Sequence, residues 1–236
     1  SKDTLLPILD SLKGTEPEFQ LYVGLLLKRS GDNLGKFKLL SGLYRDNPQL
    51  LSNQSLEMLF PRQQFDMIRQ YEKTNPYIVL SLMRQESAFN ERARSPVGAL
   101  GLMQLMPGTA RRMERVSKNA LYNPSTNIRL GVRFLSHLTR RYDGDVELAL
   151  AAYNAGPDKV DTWKLRYPTT NRLLFVDLIP FRETREYVAS IARNYYWYTR
   201  LYPMAVEVDV KPPGQERTPA TDPAAVKTVA FKLFDS

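Results

Sequence analysis

Residues 74–110, TNPYIVLSLMRQESAFNERARSPVGALGLMQLMPGTA, are the stretch that decides the fold of this chain. Its first half predicts a helix that begins near Pro76, because proline suits the first helical turn and apolar residues recur at helical spacing. The second half, Ser95–Met106, resists a helix because it contains Pro96 and two glycines. A helix followed by a loop or short hairpin is therefore expected here.

One carboxylate lies on the apolar face of the predicted helix. Val79, Met83 and Glu86 fall at i, i+4 and i+7, so Glu86 shares a stripe with apolar side chains. Lost hydration favours the neutral carboxyl and raises its pKa, which is the state that a general acid needs near neutral pH. A buried glutamate paired with Arg84 or Arg92 explains the position equally well, and both interpretations stay open at this point.

Most glycosidases use two carboxylates, so a second catalytic carboxylate is expected beside Glu86. Between Lys73 and Met113 the only other acid is Glu91, which lies next to Arg92 and favours a solvated charge. The single His137 has no second histidine with which to bind a metal, and no role is predicted for it.

Three further segments carry polar groups that suit a binding site. The Gln104 amide offers a donor and an acceptor for an N-acetylated sugar, whereas methionines in its loop are core filler by default. Tyr153 and Asn154 bring hydrogen-bonding groups to the end of a helix. Glu183 falls in a first helical turn with Tyr187 at i+4, and the helix dipole explains Glu183 without a substrate.

Composition bounds the class of protein. The chain has 236 residues, no cysteine and a net charge of +8, from 33 Lys and Arg against 25 Asp and Glu. Without cysteine, disulfides, thiolate metal sites and cysteine nucleophiles are excluded. The basic residues are scattered, so no nucleic-acid partner is predicted. No apolar stretch approaches eighteen residues, and we expect neither a membrane span nor a signal peptide.

The regions on either side of the central block differ from it. Before Lys73, apolar residues at helical spacing, broken by Gly31-Asp32 and Asn47-Pro48, predict short antiparallel helices that serve as a packing or spacer module. Asn123-Pro124, Gly156-Pro157 and Pro180 predict later helix starts. After Pro203, alternation at Val206, Val208 and Val210 predicts an extended tail with one or two strands.

Four motifs resemble the soluble lytic transglycosylase family of bacterial cell-wall enzymes. They are Glu86-Ser-Ala-Phe-Asn, Ser95-Pro-Val-Gly-Ala-Leu-Gly-Leu-Met-Gln-Leu-Met-Pro-Gly-Thr-Ala, Ala152-Tyr-Asn-Ala-Gly-Pro and Ile179-Pro-Phe-Arg-Glu-Thr-Arg-Glu-Tyr-Val. The resemblance implies a mainly α, lysozyme-like catalytic domain over 74–202, with a small antiparallel β-hairpin beside the cleft. It also implies a helical linker module over 1–73, and leaves 203–236 as an extended C-terminal tail.

The resemblance assigns roles residue by residue. Glu86 is implied to be the catalytic acid and base, with Ser87, Gln104 and Met106 lining the sugar cleft. Tyr153 looks like the tyrosine whose hydroxyl approaches the catalytic carboxyl, and Asn154 matches the adjacent motif residue. Glu183 and Tyr187 match positions that hold the sugar or the peptide stem.

The implied reaction cleaves the β-1,4 bond between N-acetylmuramic acid and N-acetylglucosamine and closes a 1,6-anhydro ring without water. No cofactor or metal is required, and Glu86 serves both proton transfers. The implied partners are peptidoglycan glycan strands and muropeptides, with other cell-wall proteins compatible, and the implied location is the periplasm or cell envelope.

Two alternatives remain open. A lysozyme-type muramidase shares the fold and the substrate but delivers water to the anomeric carbon, and the lack of a nearby second acid argues against it. An inactive glycan-binding module fits the helical N-terminal region, although the retention of Glu86 and Tyr153 weighs against it.

Overall fold

The computed structural model describes residues 11–12, 14–71 and 74–203. Within these residues the chain is mainly helical. The α-helices are α1 (Pro17–Ser30), α2 (Asn33–Asp46), α3 (Asn53–Leu59), α4 (Phe65–Arg69), α5 (Pro76–Ser87), α6 (Pro107–Met113), α7 (Pro124–Arg141), α8 (Val146–Ala155), α9 (Pro157–Arg166), α10 (Arg172–Leu178) and α11 (Arg182–Leu201), with short 3₁₀ turns at Pro48–Leu50 and Asn119–Tyr122.

The breaks predicted among the N-terminal helices are confirmed. Helix α1 ends at Gly31, whose φ of 77° is a left-handed conformation that glycine adopts without strain. Asp32 then caps α2 by accepting a hydrogen bond from the backbone N–H of Gly35 at 2.9 Å. Helix α2 ends before Asn47-Pro48, because proline restricts the residue that precedes it.

Proline marks three of the later helix starts as predicted, at 76, 124 and 157. Asn75 caps α5 by accepting from the Tyr77 N–H at 3.0 Å. The fourth start differs, since α11 begins at Arg182, two residues after Pro180. Phe181 stays extended before the helix, and its ring packs edge-on against Trp163 with centroids 5.2 Å apart.

Helix α11 lies at the centre and packs along α5 and α8. One continuous cluster of buried side chains joins these helices to the N-terminal ones, as with Phe37 and Phe60 on one side and Tyr77 and Tyr198 on the other. A smaller apolar cluster around Leu100 and Leu121 lies under the loop that follows α5. The core therefore runs across residue 73 without interruption.

The segment between α5 and α6 is a loop, as predicted. Two isolated antiparallel bridges, Arg94 with Leu100 and Leu100 with Leu105, hold it, and the described residues contain no named strand where the resemblance implies a small hairpin. Gly101 permits the turn between the bridges, with φ of 76°. The loop therefore crosses over the C-terminal end of α5, where Glu86 lies.

Two predictions concern the ends of the chain. The tail strands around Val206, Val208 and Val210 lie outside the described residues, as do residues 1–10 of the helical linker module.

In the part of the chain that the structure describes, no helix combines the length and the apolar character needed to cross a membrane.

Candidate active site

Glu86 lies in the last turn of α5, on the stripe that its spacing predicts. Val79 and Met83, the apolar members of the stripe, are fully buried. The Glu86 residue itself is half-buried, so part of its side chain stays accessible while its carboxyl is surrounded by protein. A carboxyl in this position is dehydrated and yet reachable by a ligand.

The Glu86 carboxyl receives a short hydrogen bond from a tyrosine. The Tyr187 hydroxyl, carried by α11, donates to Glu86 Oε1 at 2.5 Å. The pKa of Glu86 is raised to about 7, and burial is the main cause. The hydrogen bond from Tyr187 lowers the pKa, whereas the negative charge of Glu183 raises it further. At neutral pH the carboxyl therefore exists in both protonation states.

The alternative of a structural ion pair is not what the structure shows. Arg84 donates instead to the Leu59 carbonyl at 2.8 Å and to Asn194 Oδ1 at 3.0 Å. Among the described residues, neither Arg84 nor Arg92 forms a salt bridge with Glu86. The partner of the half-buried carboxyl is thus a neutral phenol, which leaves its charge free to change.

Tyr153 lies close to Glu86 but directs its hydrogen bond elsewhere. Its hydroxyl donates to the carbonyl of Met103 in the loop at 2.8 Å, and the hydrogen bond to Glu86 comes from Tyr187. The reason is that the end of α8 faces the loop, whose buried carbonyl needs a donor. Burial and, second, the charge of Glu86 raise the pKa of Tyr153, so the two groups are neighbours.

Ser87 holds the loop against helix α5, and Gln104 makes hydrogen bonds within the loop. The Ser87 hydroxyl, which has only one proton, lies 2.8 Å from the Leu102 carbonyl and 3.1 Å from that of Met83. The Gln104 amide donates to the Gly101 carbonyl at 2.8 Å and more weakly to a second loop carbonyl. The Gln104 amide oxygen accepts no hydrogen bond from a described residue, so it is the group of this side chain that remains for a ligand.

The methionines of the loop divide between core and surface. Met103 is fully buried, as expected of a core residue, whereas Met106 is 43% exposed. A thioether on the surface beside the loop offers an adaptable apolar contact. Met106 is therefore accessible to a ligand, and its place in the sugar cleft stays a prediction.

Asn154 connects two helices at the edge of the site. It accepts a hydrogen bond from the Thr184 hydroxyl at 2.7 Å, which joins the end of α8 to the first turn of α11. Glu183, adjacent to Thr184, is exposed in that first turn as predicted. The contact places the Glu183 charge where it acts on Glu86.

Asn127 on α7 is an important residue that the sequence analysis missed. It is 1% exposed, accepts from the Met103 N–H at 2.8 Å and donates to the carbonyls of Leu100 and Leu121 at 2.9 and 2.8 Å. The signal was a polar residue on an otherwise apolar helical stripe, the same signal that identifies Glu86. Asn127 supports the loop from below.

The site thus combines one titratable carboxyl, a phenol that donates to it, and a loop held over the end of α5. Such an arrangement suits proton donation to a ligand oxygen, followed by proton removal by the resulting carboxylate. Among the described residues, no group of three or more His, Cys, Asp or Glu side chains is arranged to hold a metal ion.

Comparison with known proteins finds similarity to lytic transglycosylases. Residues 63–175 match the family model described as the transglycosylase SLT domain. The soluble lytic murein transglycosylase of Escherichia coli strain K12 is 36% identical over 156 residues, which are 61% of this chain and 24% of that protein. The chain spans about a quarter of the length of the first curated relatives it matches.

Solved structures give the same similarity in three dimensions. The lytic transglycosylase Slt of Pseudomonas aeruginosa, solved as an inactive mutant, superposes with a TM-score of 0.70 at 30% identity, over 81% of this chain and 32% of that one. A complex of the 70 kDa soluble lytic transglycosylase with bulgecin A superposes with a TM-score of 0.71 at 28% identity, over 82% and 32% of the two chains.

Proposed function

We propose that this chain, whose residues 63–175 match the family model described as the transglycosylase SLT domain, is a lytic transglycosylase that cleaves peptidoglycan. The bond cleaved is the β-1,4 linkage between N-acetylmuramic acid and N-acetylglucosamine, and the product carries a 1,6-anhydromuramic end. The observation that carries the proposal is the Glu86 carboxyl, whose pKa is raised to about 7 and whose Oε1 accepts from Tyr187.

In the proposed reaction Glu86 acts twice. Its proton passes to the glycosidic oxygen, the bond from that oxygen to the muramic anomeric carbon breaks, and the N-acetylglucosamine end leaves as an alcohol. The Glu86 carboxylate then removes the proton of the muramic 6-hydroxyl, whose oxygen bonds to the anomeric carbon. No described residue donates to Glu86 Oε2, which supports this oxygen as the one that carries the proton.

The surrounding residues receive supporting roles. Tyr187 positions Glu86 and stabilises its carboxylate, while Tyr153 and Ser87 keep the loop in place. We assign Gln104 and Met106 to contacts with the sugar. Asn154 and Glu183 lie at the edge where a second sugar or a peptide stem would pass.

Partners and location follow from the proposed activity. Glycan strands and muropeptides are the substrates, and a net charge of +8 suits their anionic groups. Peptidoglycan as substrate implies the periplasm or cell envelope as the place of action. Residues 1–73 serve as a helical linker module, 74–202 as the catalytic region and 203–236 as a tail.

One observation favours a muramidase as the second candidate. The charge of Glu183 raises the pKa of Glu86, so a second carboxylate lies within electrostatic reach, although not among the residues near Glu86 in sequence. An inverting hydrolase needs such a carboxylate to activate water. In that case Glu183, and not Glu86 alone, would be required for turnover.

The test is mass spectrometry of the products formed from purified peptidoglycan in ¹⁸O-labelled water. The parent chain should yield anhydro-muropeptides without ¹⁸O, and Glu86→Gln should yield none, a loss of at least about a thousandfold because the acid and the base are removed together. Glu91→Gln is the matched control, since Glu91 is exposed and accepts a hydrogen bond from Gln64. It should retain parental turnover.

Other outcomes identify the alternatives. Reducing-end muropeptides that carry ¹⁸O, lost in Glu183→Gln as well as in Glu86→Gln, would establish the muramidase. Saturable binding of glycan strands without any product from the parent chain would establish the glycan-binding module.

A further inference from the structure

A cavity of about 560 Å³ lies at the end of α8 opposite Tyr153 and Asn154. Residues that begin α8, end α9 and begin α10 line it, so three helices and their connections form its walls. Eight residues of helix, about 12 Å, separate Asp145 at this end from Tyr153 at the other. The cavity is therefore distinct from the site around Glu86.

The walls of this cavity carry both signs of charge. Asp143, Asp145 and Glu147 supply carboxylates, and Lys164 and Arg172 supply cations. Tyr142, Tyr167 and Phe175 add aromatic surface. Its size lies within the range that small-molecule sites occupy.

The deepest charged groups of the cavity have polar atoms without hydrogen bonds. The Glu147 side chain is 2% exposed, and neither of its carboxyl oxygens has a hydrogen-bond partner among the described residues. Arg172 Nη1 is likewise buried without a hydrogen bond, and its ion pair with Glu147 Oε2 is long, at 4.0 Å. Unpartnered acceptors and an unpartnered donor side by side are costly in a buried position.

The neighbouring carboxylate explains why Glu147 and Arg172 do not satisfy each other. Arg172 Nε lies 3.0 Å from Asp145 Oδ2, and Asp145 Oδ1 accepts from the Leu148 N–H as the cap of α8. Arg172 is therefore held by Asp145 first. Burial and then the Asp145 carboxyl raise the pKa of Glu147, while the charge of Arg172 lowers it.

We propose that this cavity binds the zwitterionic head group of an amino acid, with its ammonium on Glu147 and Asp145 and its carboxylate toward Arg172 and Lys164. A simple amine would leave Arg172 Nη1 unpartnered, and a simple anion would leave Glu147 unpartnered. A zwitterion supplies both missing partners, and the aromatic walls accommodate the remainder of the ligand.

The same head group has two sources: a free amino acid, or a diamino-dicarboxylic acid residue within a peptide, whose second amino-acid centre keeps both a free ammonium and a free carboxylate. The proposal does not rest on the cleavage of peptidoglycan, because binding is measured directly. The competing explanation is that water, or the proton of a neutral Glu147 shared with Asp145, fills the gap without any ligand.

In the first experiment the chain is titrated with alanine, ethylamine and acetate at pH 7.5. Binding is measured by calorimetry and ligand-observed NMR. We expect saturable binding of alanine, at least about tenfold tighter than that of either single-charge probe, because both ends of the zwitterion form charge-assisted contacts. Absence of saturable alanine binding would overturn the proposal in favour of water. Ethylamine binding as tightly as alanine would overturn the zwitterion.

Variants then locate the binding. Glu147→Gln and Arg172→Gln should each weaken alanine binding about tenfold or more, while the matched controls Glu18→Gln and Arg29→Gln, exposed on α1, should not change it. Far-UV circular dichroism and thermal melting verify that each variant is folded. Equal alanine affinity in folded Glu147→Gln and in the parent chain would overturn the assignment to this cavity.

The source of the head group is resolved on a Glu86→Gln background, where we expect no turnover. A peptide is the ligand if adding Glu147→Gln weakens the binding of a peptide-bearing muropeptide about tenfold. The binding of a disaccharide without a peptide stem should then be unaffected. Loss of alanine binding alone identifies the free amino acid.

Discussion

At the scale of single residues, the Glu86 carboxyl is governed by two opposed effects. Burial disfavours its charge, and the hydrogen bond from Tyr187 favours it, with the net result that the pKa rises to about 7. A general acid whose pKa lies near the working pH is present as both acid and base in comparable amounts. The proposed double role of Glu86 depends on this balance.

The variant Tyr187→Phe should shift the pH dependence of activity. Removing the donor to the carboxylate raises the pKa of Glu86 further, and activity that needs the protonated acid is lost as pH rises through that pKa. The alkaline limb of kcat/KM should therefore move upward by about one pH unit, the worth of a hydrogen bond to a charged group. Tyr153→Phe is the control and should leave the limb in place, since its hydroxyl donates to Met103. A limb that moves equally in both variants would contradict this assignment.

The variant Glu86→Gln should be more stable than the parent at alkaline pH. The folded-state pKa of Glu86, about 7, exceeds the usual 4.5, so between these pH values the folded chain binds more protons than the unfolded chain. The free energy of unfolding therefore falls as pH rises from about 4.5 to 7. Glutamine carries no such cost, and we expect a gain on the order of 2 kcal/mol at pH 8 after allowance for the accessible part of the side chain. Urea unfolding at pH 4.5 and pH 8 measures it. A gain that is the same at both pH values would exclude the linkage.

At the scale of elements, the loop after α5 depends on support from three helices. Ser87 holds it from α5, Asn127 from α7 and Tyr153 from α8. Because the loop has only isolated bridges of its own, these side chains replace the ladder that a longer hairpin would provide. The apolar cluster around Leu100 completes the support.

The variant Gly101→Ala should destabilise the chain far more than Gly98→Ala. Both glycines have positive φ, of 76° and 92°, so alanine is strained at either position. A Cβ at Gly101 would also lie 2.3 Å from the Leu121 carbonyl oxygen and from Asn127 Nδ2, whereas Gly98 faces open space. We expect a loss of about 1 kcal/mol at Gly98 and more than about 3 kcal/mol at Gly101 in denaturant unfolding. Equal losses would show that the backbone strain alone matters.

At the scale of the whole molecule, the N-terminal helices and the proposed catalytic region share one core. Arg84 of α5 donates to the Leu59 carbonyl, and its guanidinium lies over the rings of Phe37 and Phe60, 4.4 and 4.7 Å from their centroids. Tyr198 of α11 likewise donates to the Pro61 carbonyl at 2.8 Å. These contacts join the predicted linker module to the helices that carry Glu86 and Tyr187.

The fragment 74–203 should therefore be much less stable than the fragment 14–203. Without the N-terminal helices, Tyr198 loses the ring of Phe60, Tyr77 loses the ring of Phe65, and Arg84 loses its carbonyl acceptor. We expect the shorter fragment to melt at least about 10 °C lower or to be insoluble, measured by circular dichroism. Similar melting temperatures for the two fragments would instead support residue 73 as a boundary between independent units.

The sequence by itself determined the local features. The apolar spacing from Val79 to Glu86 identified both the helix and its unusual carboxylate, because helical periodicity is a property of neighbouring residues. Proline and its preceding residue likewise identified the starts of α5, α7 and α9, since these signals act within one helical turn. The four motifs carry the resemblance to the soluble lytic transglycosylases, because each is a run of neighbouring residues.

Only the tertiary structure decided which distant groups meet. That Tyr187 rather than Tyr153 donates to Glu86 depends on how α11 and α8 pack against α5, and no local pattern contains that information. The continuity of the core across residue 73 and the unpartnered pair of Glu147 and Arg172 have the same origin. The periodicity of apolar residues indicates which side of a helix is buried. Which side chains of another helix it contacts depends on how the two helices pack.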